Sequence, residues 1–233
     1  MKVLALDTAT EACSVALSVD GNVLGRHEVA GRSHTQLLMP MVHALMQQAG
    51  IGFAQLDAIA CGIGPGSFAG VRIGVGVVKG LALALDRPVI GVSSLAALAK
   101  PVLDAGQARV LCAIDARMNE VYWAAYGANE RGMPADIVSP QVIAPDAVEP
   151  VGGGCWAAVG TGWGTYETQL RAASAAQLSG VDGTALPDAR ALVLIALEEL
   201  RRGGGMDADA LVPAYLRNKV ALTLSEQQAL RRG

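Results

Sequence analysis

Apolar positions recur along this chain with two periods, and the switches between them mark out its elements. Residues 3–6 form a short apolar run that stops at Asp7, and a polar turn over residues 8–11 follows. Cys13, Val15, Leu17 and Val19 then alternate with smaller or polar residues, the period-two pattern of a half-buried strand. Asp20-Gly21 signals a hairpin, so residues 23–29 are expected to return antiparallel. SHTQ at residues 33–36 fits a capping box and predicts a helix that Gly50 ends. Leu38, Met41, Val42, Leu45 and Met46 share one stripe of that helix, and Pro40 predicts a kink or restart within it. A strand ending at Ile63, a glycine loop, a helix over residues 67–85 and a strand over residues 88–92 come next. A short helix over residues 94–100 should stop before Pro101. Residues 127–165, rich in Gly and Pro, predict loops and short strands. Further helices are expected over residues 188–202, closed by three glycines, and over residues 225–232.

The pattern repeats. VLCAIDARMNEVYWAAY at residues 110–126 follows the plan of KVLALDTATEACSVALS at residues 2–18. Each copy is an apolar strand ending in Asp (Asp7, Asp115), a polar turn, and renewed alternation at the same offset. Two lobes on one plan follow, with a boundary at residues 102/103. The first lobe is residues 1–102, the second residues 103–212, and residues 213–233 pack back on the first.

Seven glycines fall within residues 61–80, CGIGPGSFAGVRIGVGVVKG, and two readings compete for them. A Walker loop is excluded, because no Lys-Ser/Thr pair follows the last glycine. Gly64-x-Gly66-x-x-Ala69 imitates a dinucleotide fingerprint, but Asp86 precedes the next strand instead of ending it. What remains is a generic anion site at the helix mouth around Gly64, Gly66 and Ser67, or a bare ridge for close packing. Gly66, Gly70 and Gly74 recur every four residues, which favours packing for the later glycines and confines anion contact to the loop. Asp7, with Thr8 beside it, and Asp115 either direct a metal-bound water or phosphate, or satisfy N–H groups of their own turns. Gly160 and Gly162 belong to the same candidate anion-binding set. The histidines lack metal-ligand spacing, and Ser14, Ser67 and Ser93 lie in no nucleophile elbow.

Composition narrows the class. Apolar residues make up 52% of the 233 and charged ones 17%, so part of the surface is expected to be covered by a partner. A net charge of −3 argues against broad, independent nucleic-acid binding. Four scattered cysteines without a CxxC pair read as reduced, mostly buried thiols of a cytoplasmic protein. Asp7 leaves no room for a signal peptide, and Arg72 and Lys79 interrupt the most apolar stretch, so no membrane span is expected.

LALDTATEACSVAL, SHTQLLMPMV, GIGPGSFAGVRIG, IDARMNEVYWA and PAYLRNKVA, in this order along nearly the whole chain, together resemble the TsaB (YeaZ) family. Its members are dimerization subunits of the bacterial tRNA threonylcarbamoyladenosine machinery. The usual GPGSFTGxRIG reads GPGSFAGVRIG here, so Ala69 removes one hydroxyl from the loop. The resemblance implies an α/β fold of two related lobes of the actin/Hsp70/sugar-kinase type, with mixed sheets flanked by helices. It also implies a role. The related catalytic subunit TsaD holds a metal with an HxxxH pair, and Ser94 and Leu98 occupy those two positions here. Leu has no donor atom, and a neutral hydroxyl is a poor ligand.

The chain is therefore expected to be a non-catalytic subunit that requires no cofactor of its own. ATP or ADP and a metal would sit in partner subunits or at the interface with them. It would form a homodimer alone and a heterodimer with TsaD, joined by the ATPase TsaE, with tRNA met only through the complex. Leu38, Met41, Val42 and Leu45 on one helix and Val71, Val75 and Val78 on another are the expected interface. The rival readings are a nucleotide-dependent kinase or transferase using Asp7, residues 64–67 and Asp115, and a peptidase, for which no nucleophile–base pair or zinc motif is visible.

Overall fold

The computed structural model describes residues 1–31 and 33–217. The helix expected over residues 225–232 lies outside them, as does most of the segment from residue 213 onward. Strands β1 (Lys2–Asp7), β2 (Ala12–Val19) and β3 (Asn22–Val29) run as an antiparallel meander. Helix α1 (His34–Ala49) leads to β4 (Ala58–Gly62), and helix α2 (Phe68–Leu85) to β5 (Val89–Val92). The sheet order is β3-β2-β1-β4-β5, with β4 parallel to both β1 and β5. After α3 (Ser94–Asp104), the second sheet repeats the plan: β6 (Arg109–Arg117), β7 (Glu120–Ala128), β8 (Pro134–Ile143), β9 (Cys155–Val159), α4 (Thr161–Ser174) and β10 (Gln177–Asp182). Its order is β8-β7-β6-β9-β10, the same arrangement as the first. The repeat legible at residues 2–18 and 110–126 is therefore the start of two topologically equivalent lobes, each a mixed sheet flanked by helices.

Buried central strands serve two cores at once. Leu4 and Leu6 of β1 face α1 and α2, while Val3 and Ala5 face the opposite layer. Val110, Cys112 and Ile114 of β6 join the core under α3, and Leu111 and Ala113 the core under α4. The helices that complete these layers are exchanged between lobes. Helix α3 packs through Leu95, Leu98 and Leu103 on the second sheet. Helix α5 (Ala189–Arg201) packs through Leu192, Val193 and Ala196 on the first. A cut at residue 102 or 103 would run through α3, and assigning residues 103–212 wholly to the second lobe would strip the first sheet of α5. No shift in composition marks the exchange, because each helix is amphipathic whichever sheet it covers.

Several local expectations are corrected. Ser33 makes no side-chain cap to α1, and the carbonyl of Ser33 alone accepts the first helical N–H groups. Helix α1 runs unbroken through Pro40, and α3 continues past Pro101 to Asp104. In both, buried leucines on either side of the proline hold the helix in register against a sheet. The Gly/Pro-rich region contains the ten-residue β8 instead of only short strands. Gly50 (φ 66°), the Asp20-Gly21 turn (φ 51° and 95°) and Gly203 (φ 78°) do close their elements as expected.

The glycine run is a packing seam. A methyl group on Gly66 would lie 2.1 Å from the Ala9 carbonyl oxygen, and one on Gly70 2.1 Å from that of Thr8. On Gly74 it would meet Thr8 Oγ1 at 2.7 Å, and on Gly62 the Asp7 carboxylate at 1.8 Å. The ridge thus seats α2 and β4 directly on the β1–β2 turn. Gly76, by contrast, faces open space. Gly70→Ala should therefore cost about 3 kcal/mol or more, since the obstacle is backbone. Gly76→Ala should stay within about 1 kcal/mol of the parent. Urea denaturation of the two variants measures both, and equal stabilities would show that the seam is not the constraint.

Candidate functional site

Between the lobes lies a cleft holding a cavity of about 700 Å³. Its first-lobe wall is the β1–β2 turn with the first turn of α2, and its second-lobe wall is the end of β6 with the β6–β7 turn. Residues 213–217 supply a third side.

Ser67 builds the mouth of α2. Its hydroxyl accepts the Gly70 N–H (3.3 Å), and its own N–H donates to the Ala9 carbonyl (2.6 Å). Thr8 Oγ1 donates to the Gly70 carbonyl (2.7 Å), and the buried His34 ring donates through Nε2 to the Thr10 carbonyl (2.9 Å). An amide that a phosphate would need is thereby spent holding the hairpin to the helix. Ala69 is exposed at this mouth, so the hydroxyl absent from the loop would have faced the cavity.

Of the eight candidate anion-binding residues, the cleft gathers Gly66, Ser67 and Asp115. Asp7 and Thr8 are fully buried beneath the first-lobe wall. Gly64 (φ 92°) lies behind the loop, its carbonyl accepting the Ser94 N–H. Gly160 and Gly162 press on Ala113 of β6, where a methyl group would lie 2.3 Å from its oxygen and 2.8 Å from its Cβ. Each aspartate satisfies its own turn. Asp7 Oδ1 accepts the Ala9 N–H (3.0 Å), and Asp115 Oδ1 accepts the Arg117 N–H (2.8 Å). Asp115 is also paired with the Arg117 guanidinium (2.8 Å), which reaches Glu11 across the cleft (3.3 Å). Ser14 and Ser93 accept backbone N–H groups of Ala189 and Ala96, as Ser67 does of Gly70, so all three serines are structural acceptors.

The seven expected interface side chains are corrected outright. Leu38, Met41, Val42, Leu45, Val71, Val75 and Val78 are at most 6% exposed and form the first lobe's own core. In this chain by itself they belong to the core and offer no open surface. Ser94 and Leu98 lie buried on α3 against the second sheet. Among the described residues no three His, Cys, Asp or Glu side chains gather as a metal site. Sequence reasoning missed the cleft's cationic frame: Arg72 between Phe68 and Tyr215, Arg117, and Arg217 paired with Glu120. Only the Phe68-to-Arg72 spacing of four, which brings helical side chains together, was there to be read.

Burial is the main cause that pushes the Asp7 carboxyl up to about 7, with the Asp188 charge adding and the Ala9 N–H opposing. A group whose folded value lies above its unfolded one stabilises fully at low pH and loses that contribution as pH rises through the folded value. The chain should lose up to about 1.4 kcal/mol per pH unit between the ordinary carboxylate range and about pH 7. Asp7→Asn, which keeps the acceptor for Ala9, should flatten that slope. Urea midpoints of parent and variant across this range, differing by a constant, would show that Asp7 ionises freely in the fold.

A family model described as TsaD, tRNA N6-adenosine threonylcarbamoyltransferase, matches residues 27–224. The tRNA threonylcarbamoyladenosine biosynthesis protein TsaB of Escherichia coli is 41% identical, over 95% of this chain and 96% of that one. TsaB of Haemophilus influenzae is 40% identical, over 94% and 95%. Two solved structures superpose closely. A Pseudomonas aeruginosa protein described by its similarity to peptidase YEAZ has a TM-score of 0.87 at 44% identity, covering 93% of this chain and 99% of that one. YeaZ from Pseudomonas aeruginosa has a TM-score of 0.85, also at 44% identity, covering 92% and 99%. With both its length and its two-lobed fold accounted for by these relatives, the chain belongs to the TsaB (YeaZ) family of tRNA threonylcarbamoyladenosine biosynthesis proteins.

Proposed function

We propose that this chain is a non-catalytic subunit of the machinery that threonylcarbamoylates the tRNA adenosine beside the anticodon, and that it holds a TsaD-type catalytic subunit through the outer face of α2. Ala69, Ile73, Gly76, Val77, Gly80, Leu83 and Ala84 fall within about 120° of one another at roughly 100° per residue. All are exposed or half-buried, and Leu83 is 62% exposed. The buried set, Gly70, Val71, Gly74, Val75, Val78 and Ala82, lies on the opposite side. Arg72 and Lys79 flank this stripe, so α2 is apolar on two sides; the lobe's core covers one and only the margin of the other, at Ile73 and Val77.

That unpartnered face is the observation that carries the reading. By length and composition α2 could cross a membrane, yet it packs on β4 within its lobe. Gly76 and Gly80 leave room for a facing helix to come close, as in tightly packed helix pairs. The reading assigns the face to a second copy when the chain is alone and to the TsaD-type subunit in the working complex, with a TsaE-type ATPase joining. It places the work in the cytoplasm, with tRNA met through the complex. An interface of ordinary size would bury ~1,200–2,000 Å².

Placement of the chain among actin/Hsp70/sugar-kinase folds is supported by the shared strand order of its lobes. No cofactor is required of this chain in this reading, and nucleotide and metal belong to the partners. A kinase acting through Asp7, residues 64–67 and Asp115 has no support. The first is walled off, the second is bonded to the hairpin and the third is held by Arg117.

Reconstitution tests the proposal. Modified tRNA is scored with a TsaD-type subunit, a TsaE-type ATPase and the adenylate-forming enzyme, with and without this chain. Omission should abolish modification. Leu83→Asp and Gly76→Arg should fold normally yet weaken association at least tenfold and lower modification in parallel. Equal modification without the chain would overturn the reading.

A further inference from the structure

Residues 213–217 form a short irregular segment that crosses the cleft from one lobe to the other. On the first lobe the Ala214 N–H donates to the Ile63 carbonyl (2.8 Å), just beyond the end of β4. The Tyr215 hydroxyl accepts from Arg72 Nη2 (2.8 Å). The Arg72 guanidinium lies 3.3 Å over the Phe68 ring and 5.0 Å from that of Tyr215, and its other nitrogen donates to the Phe68 carbonyl (2.8 Å). Two residues on, Arg217 reaches the second lobe. It pairs with Glu120, donates to the Arg117 carbonyl (3.4 Å) and lies 3.7 Å from Met118 Sδ.

The target of Arg217 is unusual. Arg117, Met118 and Asn119 have φ of 60°, 57° and 57°, three consecutive side-chain-bearing residues in the left-handed region. Each bears a steric cost there that glycine would not. A run of this kind persists only where its surroundings hold it. Two things hold this one: the Asp115 carboxylate from within the turn, and Arg217 from the segment in the cleft. The same turn carries the contact between Arg117 and Glu11 of the first lobe. Arg217, the turn and Glu11 thus form one continuous polar chain between the lobes. The crossing segment itself is half-buried at most, with none of its residues in a core. Val212 is 60% and Tyr215 56% exposed, while Leu211 just before it is buried. A segment held by polar contacts over an anchored base opens at far lower cost than the core beneath it.

We propose that residues 213–217 are an intramolecular strap, docked through Tyr215 and Arg217, which holds the β6–β7 turn in its left-handed form and so maintains the Arg117–Glu11 link across the cleft. Undocking of the strap releases the turn and that link together while both lobes stay folded. The inference does not depend on which protein covers α2.

Backbone hydrogen exchange of the full-length chain tests it. Arg217→Ala should raise exchange at residues 115–121 at least tenfold, with a smaller rise at residues 9–12. Exchange in β4 and β9, and the melting temperature, should stay close to the parent. Glu120→Gln, which removes the partner charge and keeps its shape, should act in the same direction. The double substitution Met118→Asn with Asn119→Gly makes the turn content on its own. In that background Arg217→Ala should no longer change exchange at residues 115–121. Exchange within twofold of the parent in both Arg217→Ala and Glu120→Gln, or an unchanged Arg217→Ala effect in the Asn-Gly background, would overturn the proposal.

Discussion

A backbone carbonyl at about 2 Å from where a Cβ would be is the constraint around which this molecule is arranged. It occurs at Gly66 and Gly70 against the β1–β2 turn, and again at Gly160 against Ala113 of β6. In each lobe a helix that follows a central strand is drawn onto that lobe's first strand or its turn. Only glycine allows the approach. The contact then uses up hydrogen-bonding capacity: the Ser67 amide, the Thr8 hydroxyl and the Gly70 carbonyl are bonded across the seam. A loop that looks like a phosphate cradle serves in this chain as a mechanical joint between α2 and the hairpin, and Ala69 beside it offers the cavity a methyl group where a hydroxyl is usual.

The joint has a consequence for α2. With its glycine face pressed onto the hairpin and its Val71, Val75 and Val78 face in the core, the helix can present only its remaining side outward. That side carries an apolar stripe, Ala69 to Ala84, flanked by Arg72 and Lys79. Burial of one face and exposure of the other thus follow from a single steric choice, and the exposed face is the one that the proposed function gives to a partner. At the cleft Asp115 is held by its own turn and by Arg117, while beneath the wall Asp7 accepts the Ala9 N–H through Oδ1 and its Oδ2 is buried without a partner. The cleft's arginines are occupied with aromatic rings and carboxylates from both lobes.

The exchange of α3 and α5 ties the two lobes together more firmly than the cleft does. Each covers the sheet of the other lobe, and they touch each other. Arg131 of the β7–β8 turn adds a pair with Glu198 on α5. On the cleft side the described residues include polar links such as Arg117 with Glu11 and Arg217 with Glu120. One side of the molecule is therefore a packed joint and the other a set of side-chain bridges, an asymmetry that lets the cleft respond to what its bridging residues meet.

Periodicity and turn chemistry were sufficient for most of the elements, because alternation, Asp20-Gly21, Gly50 and the closing glycines act locally. The internal repeat was legible too, since equivalent lobes need equivalent strand starts, and the motifs GPGSFAGVRIG and PAYLRNKVA disclosed the family. Local rules failed at Ser33, Pro40 and Pro101, where burial of neighbouring leucines outweighed capping and proline preferences. The sequence by itself determined that α1 carried one apolar stripe and that α2 was apolar on most sides and rich in small residues. For α1 the stripe legible in the sequence, Leu38, Met41, Val42, Leu45 and Met46, is the side that turns inward; for α2, apolar on two sides, tertiary contact decided which of them faces the core. The same holds for the cleft. Arg72 and Tyr215 meet from 143 residues apart, and Arg217 and Glu120 from 97, separations that no local pattern encodes.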